Sequence, residues 1–452
     1  MAANASSQLR PGGAAQGAGQ RLTQRGLCGT CARMSASQLT LVSPTSRWPV
    51  RRCLGLLALL VCLLASNANA LDWPRWRGPD LNGISKETGW LATWPADGPK
   101  QLWKANVGIG FSSITVSQGR AFTMGNQANE DTVFCFEAET GKEVWKHTYP
   151  AKLGAQNYEG GPHATPTIDA GRVYTLSKWG DLVCLTADTG KPAWTKNVAR
   201  ESGAKVPTWG FAGSVLVQGD TLYVNVGKAG TALAKADGKI LWTTGPEPAG
   251  YATPVPITVG GQAVLAVFGS KALFAVDAKT GKELWSHPWK TSWDVNAADP
   301  IFQGDDLFIC SGYDHGGALL RLGGGAPSVV WEKKDMRNHY NSCVLLDGHL
   351  YGFDEKGDLR CLEWSSGAVK WSESSLKKKD AQGSLMAADG KLVALGPNGE
   401  LAVVEATPAG FKAISRTQVL SGKCWTTPVL ANGRLYCRNA AGDLVCLDVK
   451  GR

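Results

Sequence analysis

Aromatic rings and a few polar groups recur at corresponding points of this chain. His163, Trp209, Tyr251, Trp293, His339 and Trp425 each stand in a segment leading into a hairpin-like stretch, as do Phe111, Phe211 and Tyr340. The amides Asn296, Asn338 and Asn341 lie among them. Ring faces mixed with a few polar groups suit small ligands, planar or sugar-like. His163 and His339 add imidazoles that titrate near neutral pH, the first candidates for proton transfer. No spacing pairs a base with a nucleophile, so no catalytic residue is assigned. Metal chemistry has equally little support. After residue 70 there is no C-x-x-C or H-x-x-H spacing of the kind zinc uses. Cys28 and Cys31 form a C-x-x-C, but Ala32 follows where haem attachment needs His.

The elements that must position these groups repeat. VFCFEAETGKEVW (133–145), LVCLTADTGKPAW (182–194), LAKADGKILW (233–242), LFAVDAKTGKELW (273–285) and LRCLEWSSGAVKW (359–371) share one plan. An alternating strand runs into a tight turn with Gly, then into a strand carrying Trp. Period-two alternation and a Gly able to take positive φ are what a short hairpin requires. A second hairpin precedes each of these, as in ATPTIDAGRVYTLS (164–177) and TPVLANGRLYCRN (427–439). Each unit therefore has four strands. Trp103, Trp145, Trp194, Trp242, Trp285, Trp331 and Trp371 mark a period in the forties, with Ile414 in the next slot. Four strands at that period describe a β-propeller.

The ends of the chain set the blade number. The last unit stops at Gly451-Arg452, where its Trp strand is due, while LWKANV (102–107) opens the first as an orphan. Joining the two closes the ring and leaves no exposed terminal edge. The expectation is an all-β, eight-bladed propeller over residues 101–452, its last blade completed by the N-terminal strand. A channel mouth ringed by the aromatic positions follows from that geometry. Two readings of those rings stand: a ligand-lined mouth, or a plug of the central tunnel.

Ahead of the propeller, LGLLALLVCLLA (54–65) is too short to span a bilayer but suits a signal-peptide core. Arg47, Arg51 and Arg52 flank it, and Ala68-Asn69-Ala70 offers small residues for cleavage before Leu71. Met34 is a more ordinary start, so residues 1–33 read as an upstream extension and 34–70 as the signal peptide. Residues 71–100 form a Trp-rich segment expected to pack across a propeller face. The formal net charge of +9 belongs to the leader. Its seven arginines are matched by no acid, and beyond residue 70 basic residues exceed acidic ones by only two. Such a chain has no electrostatic footprint for nucleic acid or an anionic membrane.

Cys135, Cys184, Cys361 and Cys446 share one strand position, where other units have Ala234 and Ala275. A residue exchanging with Ala is a small buried group. Cys424 and Cys437 fall in the last unit, close enough to bridge in an oxidising compartment. Lys377–Lys379 is a solvated run between blades.

The A-x-T-G-K-x-x-W repeats resemble those of the pyrroloquinoline quinone (PQQ) repeat superfamily, which holds eight-bladed quinoprotein alcohol dehydrogenases and BamB-type assembly scaffolds. DWPRWRGP (72–79) after a signal peptide is similar to secreted members of unassigned role. Catalytic members would add a disulfide between adjacent cysteines, Ca²⁺ held by Glu, Asn and Asp, and an Asp base. No Cys-Cys pair occurs here. Glu159, Asp294, Asn296 and Asp299 are the residues such a site would draw on. The reading is thus a secreted or periplasmic, monomeric, non-catalytic binding or assembly scaffold with no assigned cofactor. It would hold a protein partner or small ligand at its mouth; the alternative is a PQQ- and Ca²⁺-dependent alcohol dehydrogenase.

Overall fold

The computed structural model describes residues 71–378 and 381–451. The leader, the Cys28/Cys31 pair and Lys379 lie outside them. Eight sheets of four strands make a propeller; a two-residue strand, Ile84–Ser85, joins one of them as a fifth. Blade 1 runs outward through Thr115–Ser117, Arg120–Gln127, Glu130–Glu137 and Glu143–Pro150. Blade 8 begins with Val429–Ala431, Arg434–Arg438 and Asp443–Asp448, and its outermost strand is Gln101–Asn106, with Trp103 opposite Cys446. The N-terminal strand therefore closes the ring, as the truncated last repeat requires.

Blades pack face to face, so their middle strands lose water on both sides. Leu182, Val183, Cys184 and Leu185 are all buried, and so are Val264 through Phe268. Strands covered on both faces read as continuous apolar runs, whereas outermost strands keep an alternating pattern. The repeated Trp secures each blade to the next. Trp145 Nε1 donates to Ala187 O at 2.8 Å, Trp331 to Trp364 O at 2.8 Å and Trp371 to Thr407 O at 2.8 Å. Trp103, Trp194 and Trp242 make the same bond at 3.1–3.3 Å. Every one of these indoles except Trp371 lies over the corner glycine of the next blade; Trp371 meets Phe411 instead. A Cβ on Gly190, at φ +67°, would sit 2.5 Å from Trp145, so the turn and the docking ring both demand glycine.

Two joints depart from this plan. Trp285 has no corner glycine against its ring, packs in a cluster with Leu322 and makes no such bond among the described residues. At the joint between blades 7 and 8, Ile414 replaces Trp and packs into a cluster containing Trp90, Trp94 and Val449. Trp94 N donates to Ser415 Oγ and Leu91 N to Val449 O, which fixes the N-terminal segment against both blades.

That segment does not merely cover a face. Trp73 bridges Val116, Pro74 O accepts from Ile168 N, Arg77 donates to Cys343 O, and Ile84–Ser85 pairs in parallel with Ala387–Ala388. These partners belong to innermost strands or their approaches, so residues 73–85 lie along the tunnel. The eight described cysteines are free and buried, Cys424 and Cys437 included, in place of the bridge considered from sequence. Ring closure has a further fastening at Arg438. Its Nη1 donates to Ser112 O, Thr123 Oγ1 and Met124 O, and its Nη2 to Gly108 O and Gly110 O.

Candidate functional site

A belt of hydrogen bonds runs along the tunnel from blade 1 to blade 6, where the chain enters the innermost strands. Ser113 N donates to Thr165 Oγ1, Thr165 N to Ser214 Oγ, and Ser214 N to Thr253 Oγ1. Thr253 N then donates to Asp299 Oδ1, and Asp299 N to Ser342 Oγ. Blades 2 to 6 thus each satisfy the preceding blade's amide with a short side chain. Asp299 is the position where a carboxylate takes the place of a hydroxyl. Its second oxygen accepts the Trp76 indole N–H at 2.6 Å, and the Arg77 guanidinium stands 3.9 Å away. Burial raises the Asp299 pKa, opposed first by Arg77 and then by its hydrogen bonds.

Above the belt opens a cavity of about 430 Å³. Trp76 reaches it from the tunnel segment, and Thr165, Ser214, Thr253 and Asp299 line its base. Of the residues proposed from sequence, His163, Trp209, Tyr251, Trp293, His339 and Trp425 all contribute to its wall, with Phe111, Tyr340 and Asn341. Asn296 does not. Its buried amide donates to Gly269 O and Ser270 O, and its carbonyl accepts from Ser311 Oγ, so it braces the wall from behind. Asn338 is likewise committed to Phe353 O, and Phe211 is packed in the core.

The two sides of the mouth differ. On one side the rings close on each other: Phe111 to Trp425 at 5.4 Å, Trp425 to Tyr340 at 4.2 Å and Tyr340 to His339 at 4.0 Å, all stacked. On the other, Trp209 meets Tyr251 at 6.2 Å and stands edge-on to Trp293 at 6.4 Å and 81°. Trp293 is 63% exposed, the most exposed of the large hydrophobic side chains among the described residues. One wall is stacked ring on ring; on the other Trp293 stands open beside a half-buried Trp209 and a buried Tyr251.

A third group was not visible as a site in the sequence. Residues 152–159 bring Gln156, Asn157 and Tyr158 onto the cavity, and two lysines help to hold them there. Lys178 Nζ donates to Gly154 O at 2.5 Å and to the Tyr158 hydroxyl. Lys423 Nζ binds Glu159 at 2.8 Å while lying over the Trp425 ring. Burial lowers Lys178 to about 8 despite Asp131, itself pushed up to about 6 by burial. Burial also holds the imidazoles neutral: His163 is lowered to about 3, with Lys178 adding to the effect, and His339 to about 4. Neither histidine is poised to take a proton at neutral pH.

The sequence profile of the family described as outer membrane protein assembly factor BamB matches residues 88–161 and 152–373. The chain belongs to that BamB family. BamB of Yersinia pestis is 22% identical over 367 residues, covering 76% of this chain and 88% of that protein. Tetrathionate hydrolase of Acidithiobacillus ferrooxidans is 26% identical over 235 residues; the match spans 48% of this chain and only 44% of the hydrolase. Among solved structures, the quinohemoprotein alcohol dehydrogenase of Comamonas testosteroni superposes with a TM-score of 0.60 at 13% identity, over 87% of this chain and 82% of that one. Likeness at that identity shows the shared fold alone.

Within this BamB-family propeller the residues a quinone site would need do not assemble. Glu159 is paired with Lys423, and Asp294 faces Lys271 at 4.0 Å. Asn296 is spent on backbone carbonyls, and Asp299 on Trp76, Thr253 and Arg77. Among the described residues no three His, Cys, Asp or Glu side chains are grouped to hold a metal ion. The donor set does not fit PQQ with Ca²⁺. No helix among the described residues is long and apolar enough to cross a membrane.

Proposed function

We propose that this protein is an exported, non-catalytic binding scaffold, monomeric in itself, which holds a small ligand or a projecting part of a protein partner in its aromatic mouth. The observation that carries the reading is the state of the polar groups around the cavity. Its carboxylate is committed to the belt and the tunnel segment, and its imidazoles are kept neutral by burial. A general acid or base must exchange a proton with a bound reactant; Asp299 is committed elsewhere, and burial disfavours the charged form that either imidazole would take on in doing so. What remains is a concave aromatic surface with uncharged polar groups, the usual make-up of a binding pocket. The assembly role in the BamB name supports a scaffold, and the apolar stretch 54–65 supports export.

The test is reconstitution of the purified protein with PQQ and Ca²⁺, followed by desalting and a dye-linked assay over a panel of alcohols. The expected outcome is neither retention nor turnover. Stoichiometric retention with turnover would overturn the scaffold reading.

A further inference from the structure

We propose that the open wall formed by Trp209, Tyr251 and Trp293 receives the terminal ring of an uncharged carbohydrate. The proposal rests on the reading of the mouth as a binding site and adds the chemistry of its occupant. Three observations carry it.

The first is charge. Among the described residues, Asp299 is the one Asp, Glu, Lys or Arg side chain on the cavity wall, and both its oxygens are engaged, with Arg77 beside it. An ionic ligand would therefore give up its hydration with no free counter-charge to replace it. An organic cation is disfavoured twice over. The protein already holds Lys178 Nζ 4.6 Å from the Tyr158 ring centroid and Lys423 Nζ 4.2 Å from that of Trp425.

The second is the mixture of surfaces. Gln156, Asn157, Thr427 and the hydroxyls of Tyr251, Tyr313 and Tyr340 are spread among the rings of the lining. A flat hydrocarbon would bury such groups without hydrogen bonds, at a cost for each one. A sugar offers both kinds of contact. Its C–H face can lie on an electron-rich ring face, while its hydroxyls meet amides and phenols around the rim. The rings at Phe111, Trp425, Tyr340 and His339 are already stacked on one another, so the free aromatic face belongs to the corner of Trp209 and Trp293. An indole 63% exposed beside a cavity leaves aromatic surface that an occupant can cover.

The third is shape. Trp76 and the tunnel segment stand beneath the cavity, pinned by Asp299, so a glycan would enter end-on from the mouth. That geometry selects a chain terminus over an internal stretch of a polymer.

The experiment uses the full chain on an array of neutral and acidic glycans, with calorimetry on soluble neutral disaccharides. Indole, choline and 1-naphthoate serve as uncharged, cationic and anionic non-sugar probes. Neutral termini are expected to bind, and Trp293→Ala to weaken them about tenfold or more, by analogy with the loss of an aromatic ring that stacks on a nucleobase. Because Trp293 is largely exposed, that variant should unfold at the parent's temperature, which separates lost binding from lost fold. If a non-sugar probe binds with Trp293 dependence and neutral glycans do not, the carbohydrate inference is overturned while the binding-site reading stands. Preference for acidic glycans overturns it too. Silence of every probe overturns both.

Discussion

Trp76 donates its indole N–H to Asp299 at 2.6 Å, joining a segment that precedes the first blade to a side chain of the fifth. The same carboxylate receives Thr253 N at 2.8 Å, in the role that hydroxyls play elsewhere around the belt. Asp299 thus does two things: it continues the belt and anchors the tunnel segment. The carboxylate is required for the second because Arg77 beside it is fully buried and otherwise donates only to carbonyls of Leu81, Asn82 and Cys343.

Replacing Asp299 should therefore cost more than replacing another belt residue. Asp299→Ala leaves a buried guanidinium without its counter-charge and an amide without an acceptor, a loss of about 3–5 kcal/mol. Thr165→Ala removes one acceptor and should cost about 1–3 kcal/mol. Urea denaturation of the two variants checks the order. Equal losses would show that Asp299 is only another link in the belt.

The docking tryptophans allow a comparison within one molecule. Trp145 donates to Ala187 O and lies over Gly190, whereas Trp285 has no corner glycine against its ring and, among the described residues, donates to no carbonyl. Substitution by Phe removes the N–H at both positions along with part of the ring. Trp145→Phe should destabilise by about 1 kcal/mol more than Trp285→Phe, the net worth of one hydrogen bond. Thermal melts of both variants measure the difference.

Legibility followed repetition. The blade number and the closure were readable because hairpins, corner glycines and tryptophans recur at fixed intervals and the last unit lacks its final strand. The mouth rings were readable because they precede equivalent strands, and His163, Trp209 and Trp425 do line the cavity. Residues outside the repeat escaped. Trp76 belongs to a segment with no counterpart among the blades, and Tyr158 sits in an irregular loop held by Lys178. Asn296 shares the favoured positions, but sequence spacing does not fix which way a loop amide turns, and backbone carbonyls claim it. The belt had a signal that was not used: Ala164-Thr165-Pro166, Ala252-Thr253-Pro254 and Ala298-Asp299-Pro300 are one motif, with the carboxylate as its odd member.

The two cavity histidines should make the protein acid-sensitive. Burial lowers His163 to about 3 and His339 to about 4, against an ordinary value of 6.5. Between those values the unfolded chain binds protons that the folded chain refuses, so stability rises with pH up to about 6.5 and falls as pH drops below it. Each group can contribute a slope of up to about 1.4 kcal/mol per pH unit inside its window. Denaturation midpoints from pH 4.5 to 7.5 would show the slope. His339→Phe keeps a ring between Tyr313 and Tyr340 and should flatten it. An unchanged slope in that variant would place the sensitivity elsewhere.

Arg438 offers the sharpest test of how the ring is kept shut. It comes from the second strand of blade 8, and its five hydrogen bonds all go to residues 108–124, the approach to blade 1 and that blade's second strand. It has no ion-pair partner among the described residues, and burial lowers its pKa to about 9. Four backbone carbonyls and a threonine hydroxyl depend on this one guanidinium. Arg438→Met would fill much of the volume but leave those acceptors dry, costing about 3–5 kcal/mol by analogy with breaking a buried charged network. Arg438→Lys would reach only part of the set and should fall between the parent and the Met variant. The loss should be local at first, because each blade contacts only its neighbours and the seam between blades 8 and 1 joins the two ends of the chain. Hydrogen exchange is the measurement: the amides of Gln101–Asn106 and Thr115–Ser117 should lose protection in Arg438→Met before those of blades 3 to 5. Uniform loss across all blades would mean that Arg438 supports the core as a whole and not the closure.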